Sequence, residues 1–285
     1  MNICPRTITM KLFLKTKDFS VSKEDFELHL DEALDMLVTS PQPENLDAYY
    51  ESEDYISHTD SQKSFTDKLY QAVKQKNLQN KIQLVDNQNN KSKSLLDIGA
   101  GTGDFLVLAQ SKGYEVAGVE PNTRARQLAL QKGVNLEPKL DSFLGTKFQT
   151  ITLWHVLEHL PNLQEQISDI TSLLEEDGTL IIAVPNFKSF DAKHYGTYWA
   201  GYDVPRHLWH FSKTSITKLF DRHGMEVASI RPMWFDAFYV SMLSEKYKGN
   251  TWYLPSAFFV GLWSNLMAIF NKEHSSLIYI LKRKK

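Results

Sequence analysis

The sequence predicts an α/β protein: a mostly parallel sheet flanked by helices, behind a small N-terminal appendage. Three observations predict it. From residue 94 onward, short apolar runs alternate with amphipathic segments of helical period. Those runs carry few alternating polar positions, as strands do when helices cover both faces of the sheet. The stretch LLDIGAGTGDFL, residues 95–106, joins the first run to the first helix through three glycines at alternate positions.

The 285 residues suit one main domain with appendages. A hydrophobic share of 42% with 23% charged residues is that of an ordinary globular chain. A net charge of −2 supplies no basic face, so nucleic acid is not an expected partner. The single cysteine, Cys4, precludes an internal disulfide and fits a reducing compartment. The opening MNICPRTITMKLFLK holds no sustained apolar run and no small-residue cleavage site. No signal peptide is expected, and the predicted location is cytoplasmic. The most apolar stretch, 254–270, is short for a membrane span and contains Pro255, Ser256, Ser264 and Asn265, so no span is predicted.

The elements follow in order. Residues 1–45 form the appendage. A weak alternation predicts a strand over 7–14. Ser22 with Asp25 can cap a helix through Leu37, with Phe26, Leu30, Leu34 and Leu37 on one face, before Pro41 and Pro43 break the chain. Residues 46–93 read as a helical lid and linker. Asp60 or Ser61 caps a helix carrying Phe65, Leu69, Ala72 and Val73, and 87–93 is polar and basic. The main domain covers 94–285. Strands are predicted at 94–98, 115–119, 149–154 and 179–184, with a weak one at 134–136. Helices are predicted at 104–112 and 123–131 and over Leu163, Ile167, Ile170, Leu173 and Leu174. A capped helix ends at His223-Gly224, strands follow at 226–230 and 275–281, and an aromatic insertion lies at about 232–272.

In an open parallel sheet, ligands bind at the carboxyl ends of the strands. Glycines at 99 and 101 can bring backbone N–H groups to a ligand there, with the positive end of the next helix behind them. A dinucleotide fingerprint needs its third glycine at the sixth position, which is Asp104 here, a carboxylate that would repel a pyrophosphate. Glu120, at the end of the second strand, can accept both hydroxyls of a ribose; the alternative is a solvated acid at a helix start.

The pattern Asp97-x-Gly99-Ala100-Gly101-x-Gly103 resembles the first motif of the class I S-adenosylmethionine-dependent methyltransferases. Residues 153–162, LWHVLEHLPN, and 201–212, GYDVPRHLWHFS, are similar to a bacterial group within that family. The resemblance covers about 94–230. It implies a Rossmann-like seven-stranded sheet, mostly parallel with an antiparallel last strand, and S-adenosyl-L-methionine as cofactor. It implies that Asp97, Gly99, Ala100 and Gly101 hold the methionine part and that Glu120 and Pro121 meet the ribose. Asp141 and Ser142 would meet the adenine, unless Asp141 is a plain loop acid. The resemblance further implies that His155 lines the cofactor or the acceptor and that the segment with Tyr55 and His58 closes over the cofactor. Relatives of this group often begin with a four-cysteine zinc ribbon. Here Thr7, Asp31 and Leu34 stand near the positions of cysteines, so residues 1–45 read as a metal-free remnant.

Methyl transfer asks for alignment, exclusion of water and, at oxygen or nitrogen, a base within hydrogen-bond reach. Candidate catalytic residues are His155, His159, Arg206 and His210. Arg206 either binds an acceptor's carboxylate or phosphate or pairs with a neighbouring acid. Glu158 and His159 either act on the acceptor or hydrogen-bond the loop in place. His155-x-x-Glu158-His159 with His207 or His210 has donors a divalent metal would accept, but no metal is assigned. The expected activity is methyl transfer to a small-molecule acceptor. Alternatives are a module that binds the cofactor without turnover and a nicotinamide-dependent oxidoreductase. The aromatic insertion reads as core, lid or subunit contact, which leaves a homodimer open.

Overall fold

A computed structural model describes residues 10–46, 49, 65–88 and 92–285. Its larger sheet contains β4 (Ser94–Ile98), β5 (Glu115–Val119), β6 (Phe148–Trp154), β7 (Leu174–Pro185), β9 (Met225–Pro232) and β10 (Ser276–Arg283). The spatial order is β5-β4-β6-β7-β10-β9. Neighbours among β5, β4, β6 and β7 are parallel, and β10 runs antiparallel to both β7 and β9.

The described residues form six strands here, not the seven expected. Residues 134–136 form no strand, and Glu137 makes a single bridge to Val119. Pro138 follows at once and has no N–H with which to continue the ladder. Val134 and Leu136 are buried nonetheless, and Leu136 covers Gly118.

Helices cover both faces, as two-sided burial requires. Leu180, Ile182 and Val184 of β7 pack with Ile167 and Ile170 of α4 (Leu163–Ser172) and with Ile216, Leu219 and Phe220 of α6 (Lys213–Asp221). Ile181 and Ala183, on the opposite face, share a core with Phe105 and Leu106 of α2 (Asp104–Ser111) and with Leu78 and Ile82 of α1 (Phe65–Asp86). The Ser212 side chain caps α6 with a reciprocal Ser215 contact. In chain order α3 (Thr123–Gln131) precedes α4, and the short α5 (Phe190–Tyr195) precedes α6.

The N-terminal helix through Leu37 does not form. β1 (Met10–Lys17), β2 (Asp25–Asp31) and β3 (Met36–Ser40) make an antiparallel meander instead. Phe26 and Leu28 alternate into the core, a period of two that the spacing of 26, 30, 34 and 37 conceals. Asp31 accepts the Leu34 amide at 3.0 Å, and Asp35 takes a left-handed φ of 55°, so the chain reverses where a helix would continue. β8 (Trp209–His210) pairs with β3, which fuses the appendage to the main domain.

The aromatic insertion is a helical hairpin, α7 (Asp236–Tyr247) and α8 (Tyr253–Asn271). A Cβ on Gly261 would lie 2.8 Å from the Phe238 ring and 3.0 Å from the Ala237 carbonyl, so glycine sets the close helix contact. The apolar stretch is longer than its sequence suggests. α8 has 19 residues, long and apolar enough for a membrane span, with 28% of its most apolar window buried. Ser264 and Asn265 do not interrupt it because both face inward.

Candidate active site

The glycine turn assigns different jobs to its members. Gly99 has φ +73°, and a Cβ there would fall 2.3 Å from Val156 Cγ2. Its N–H and that of Ala100 both donate to the Val119 carbonyl, at 2.8 and 2.9 Å. The expectation that the Gly99 amide meets a ligand is therefore corrected: it ties the turn to β5. Gly101 differs. Its φ is +54°, and a Cβ would meet nothing within 4 Å among the described residues. Its N–H donates to Glu120 Oε2 at 2.8 Å, and the Asn122 N–H donates to Glu120 Oε1 at 2.9 Å.

Glu120 therefore reaches from the end of β5 across to the bare backbone after β4. A sugar hydroxyl placed there finds an acceptor oxygen, and an amino-acid tail finds an unshielded main chain. Asp97 lies below the turn, buried, and takes a 2.6 Å hydrogen bond from Thr152. Burial pushes its carboxyl up to about 7, against the pull of the Thr152 bond and the Lys81 charge. Pro121 is exposed beside Glu120. Asp141 and Ser142 are exposed on a 3-10 turn, Leu140–Phe143, whose Leu140 and Phe143 rest on the core. Tyr55 and His58 lie outside the described residues.

His155 follows β6 with a left-handed φ of 59°. Its Nδ1 stands 3.3 Å from Glu158 Oε1 and its Nε2 3.0 Å from Asp236 Oδ2. Burial opposes the ring's charge, but the Asp236 and Glu158 bonds outweigh it and raise the pKa to about 10. His155 carries its proton at neutral pH, so it is a donor rather than the expected base. Asp236, the first residue of α7, thereby anchors the insertion to the site.

The other three catalytic candidates lie in a seam between the loop 203–210 and the N-terminal sheet. Arg206 donates to Asp203, to Asp18 at 3.1 Å, to Ser20 and to the Tyr49 carbonyl. Its fork is used within the protein, so the ion-pair alternative replaces the acceptor contact. Asp18 also receives the Ser20, Val21 and Ser22 amides. His210 is buried with Nε2 3.0 Å from Thr39 Oγ1, and burial with the His207 charge holds its pKa well down. His159 Nδ1 lies 2.9 Å from the Arg206 carbonyl, and burial and His207 lower its pKa to about 4. Glu158, His159 and His207 each offer one ligand atom within 4.8 Å of the others.

A cavity of about 80 Å³ opens beside His155, lined in part by Asn80, Lys81, Trp154, Trp234, Phe235 and Asp236. Lys81 Nζ sits 4.6 Å from the centre of the Trp154 ring. Burial lowers its pKa while Asp97 and Asp236 hold it up, so this lysine links the turn to the cavity. Sequence reasoning missed Lys81 and Asp236. Asp236 had a signal as an acid at a helix start; Lys81 had none, because only packing turns that side of α1 toward the sheet.

A family model described as a methyltransferase domain matches residues 69–230. An uncharacterized methyltransferase of Alkaliphilus oremlandii is 31% identical over 113 residues, 37% of this chain and 52% of that protein. The C-methyltransferase NovU of Streptomyces niveus is 25% identical over 147 residues, 48% of this chain and 33% of the relative. The chain thus spans about half or less of the curated relatives it matches. Among solved structures, magnesium protoporphyrin IX methyltransferase from Synechocystis PCC 6803 with bound SAH superposes with a TM-score of 0.53 at 18% identity. The match covers 80% of this chain and 91% of that one. A SAM-dependent methyltransferase from Archaeoglobus fulgidus gives 0.50 at 18%, over 73% and 94%. With a family match spanning more than half of its residues, the chain belongs to the methyltransferase-domain family.

Proposed function

We propose that this chain transfers a methyl group from S-adenosyl-L-methionine to a small-molecule acceptor. The observation that carries the reading is the Glu120 carboxylate on the Gly101 amide, at the carboxyl ends of two adjacent parallel strands. Family membership and the fold shared with methyltransferases support it. Glu120 would take the ribose hydroxyls in place of the amides it now accepts. Gly101 and Asp97 would hold the amino-acid part, with Ala100 shaping the turn and Pro121 beside the ribose. Asp141 and Ser142 stand at the adenine side, and Tyr55 and His58 belong to the segment assigned to closure. Once bound, the sulfonium supplies an activated methyl group for in-line displacement.

The acceptor's place in this reading is the cavity beside His155. An acceptor hydroxyl or amine there meets hydrogen-bonding groups of both signs, Lys81 and Asp236. Trp154 and the Lys81 stem exclude water from one wall, which strengthens those contacts. The nicotinamide alternative is disfavoured by the position of Asp104 rather than by its charge, which Lys74 and Lys132 offset at 2.7 Å each. Asp104 stands where a dinucleotide turn needs its third glycine.

Calorimetry with S-adenosylhomocysteine tests the reading. Binding is expected, and Glu120→Ala should weaken it at least about tenfold, as loss of a charge-assisted hydrogen bond implies. Unchanged affinity in Glu120→Ala, or preference for NADH over S-adenosylhomocysteine, would reject it.

A further inference from the structure

Helix α8 is inside out for a helix on a water-facing surface. Its buried residues are Ala257, Gly261, Ser264, Asn265 and Ala268, small or polar and on one helical face. Its exposed residues include Phe258, Phe259, Trp263, Leu266 and Phe270, with Phe259 67% and Phe270 83% accessible. An amphipathic helix facing water does the reverse. No Asp, Glu, Lys or Arg occurs from Trp252 to Asn271. An apolar face this long marks a contact surface.

Charge at the helix ends selects the occupant. Lys246 and Lys248 are exposed just before α8, and Lys272 is exposed just after it. A second copy laid on α8, parallel or antiparallel, would bring lysine against lysine at both ends. Anionic headgroups complement both ends at once. Exposed Trp252 at the first end is the residue type that settles at a bilayer interface.

Orientation follows from the inward face. Ser264 donates to Asp191 at 2.6 Å, and Asn265 donates to the Trp234 carbonyl at 2.9 Å. Asp191 also takes the Trp199 indole N–H and the Ser275 hydroxyl. A helix tied to the domain by buried polar groups lies along a membrane rather than crossing it. We propose that the outer face of α8 seats this protein on an anionic lipid bilayer, parallel to the surface. Trp234 and Phe235 are exposed on the adjoining α7 side and also line the cavity beside His155.

The test is vesicle flotation of the full chain, without cofactor or acceptor, so its outcome is independent of methyl transfer. The protein should float with phosphatidylcholine vesicles containing phosphatidylglycerol, and added salt should weaken binding. The double variant Phe259→Asp, Trp263→Asp should stay at the bottom while keeping its circular dichroism and its S-adenosylhomocysteine affinity. Changing Lys246, Lys248 and Lys272 to Gln should weaken partitioning about a hundredfold. The proposal falls if the wild type does not float or if the double variant floats like the wild type. It also falls if light scattering finds a dimer that the same double variant dissociates, which would put a second copy on the face.

Discussion

Two glycines two residues apart should respond to alanine in opposite ways. At Gly99 the new methyl group has two costs. The left-handed φ of +73° costs about 1–2 kcal/mol for a residue with a Cβ. The Cβ also lies 2.3 Å from Val156 Cγ2, and displacing a packed side chain costs about 1–3 kcal/mol. The sum, about 2–5 kcal/mol, lowers the melting temperature of a chain this size by roughly 3–8 °C. At Gly101 the steric cost is missing, because a Cβ meets nothing within 4 Å among the described residues. Gly101→Ala should therefore melt close to wild type, roughly 2–3 °C lower. It should instead lose about tenfold or more in S-adenosylhomocysteine affinity, since the methyl group occupies the face offered to the ligand. Scanning fluorimetry gives the first quantity and calorimetry the second. The double variant Gly99→Ala, Val156→Ala should recover the steric part and leave the conformational part. A Gly99→Ala protein as stable as wild type, or a Gly101→Ala protein that binds as wild type does, refutes the division of labour.

The His155 imidazolium supplies a pH-dependent test. Its folded pKa is raised to about 10 from an ordinary 6.5, so its stabilisation is complete below about pH 6.5 and lost as pH rises through about 10. Asp236→Asn should cost about 1–2 kcal/mol at about pH 6, a value reduced by solvent because the His155 side chain is one-third exposed, and almost nothing above about pH 10. Urea titrations of both proteins across that range measure it, and a difference that grows with pH contradicts the assignment. Arg206→Met leaves Asp18 and Asp203 without their shared cation and should cost about 3–5 kcal/mol, while folded protein keeps its cofactor affinity. Full thermal stability with loss of turnover alone would return Arg206 to the acceptor. The Glu158, His159 and His207 cluster reads as loop hydrogen bonding, so prolonged dialysis against EDTA should leave the melting temperature unchanged. A drop that Zn²⁺ reverses and Mg²⁺ does not would place an ion there.

Much of the fold was legible because its signals are local. The strands at 94–98 and 115–119 and the helix at 123–131 have the ends expected of them, each bounded by glycine or a capping residue. The N-terminal sheet was not legible. Its apolar residues satisfy a helical period as well as a strand period, and pairing of β2 with β1 and β3 is what the strand period serves. The catalytic candidates divide for a similar reason. Arg206 and His210 share one short motif with aromatic neighbours, yet Asp18 and Thr39 from the appendage claim them both.

The sequence by itself determined the α/β order, the glycine turn and the acid one strand over. Each is a property of a few adjacent residues, and the parallel sheet brings strand ends together without further instruction. Tertiary structure alone decided which glycine meets a neighbour, which histidine keeps its proton and which way α8 faces. Those outcomes depend on burial and on charges from distant segments, which spacing along a chain does not encode.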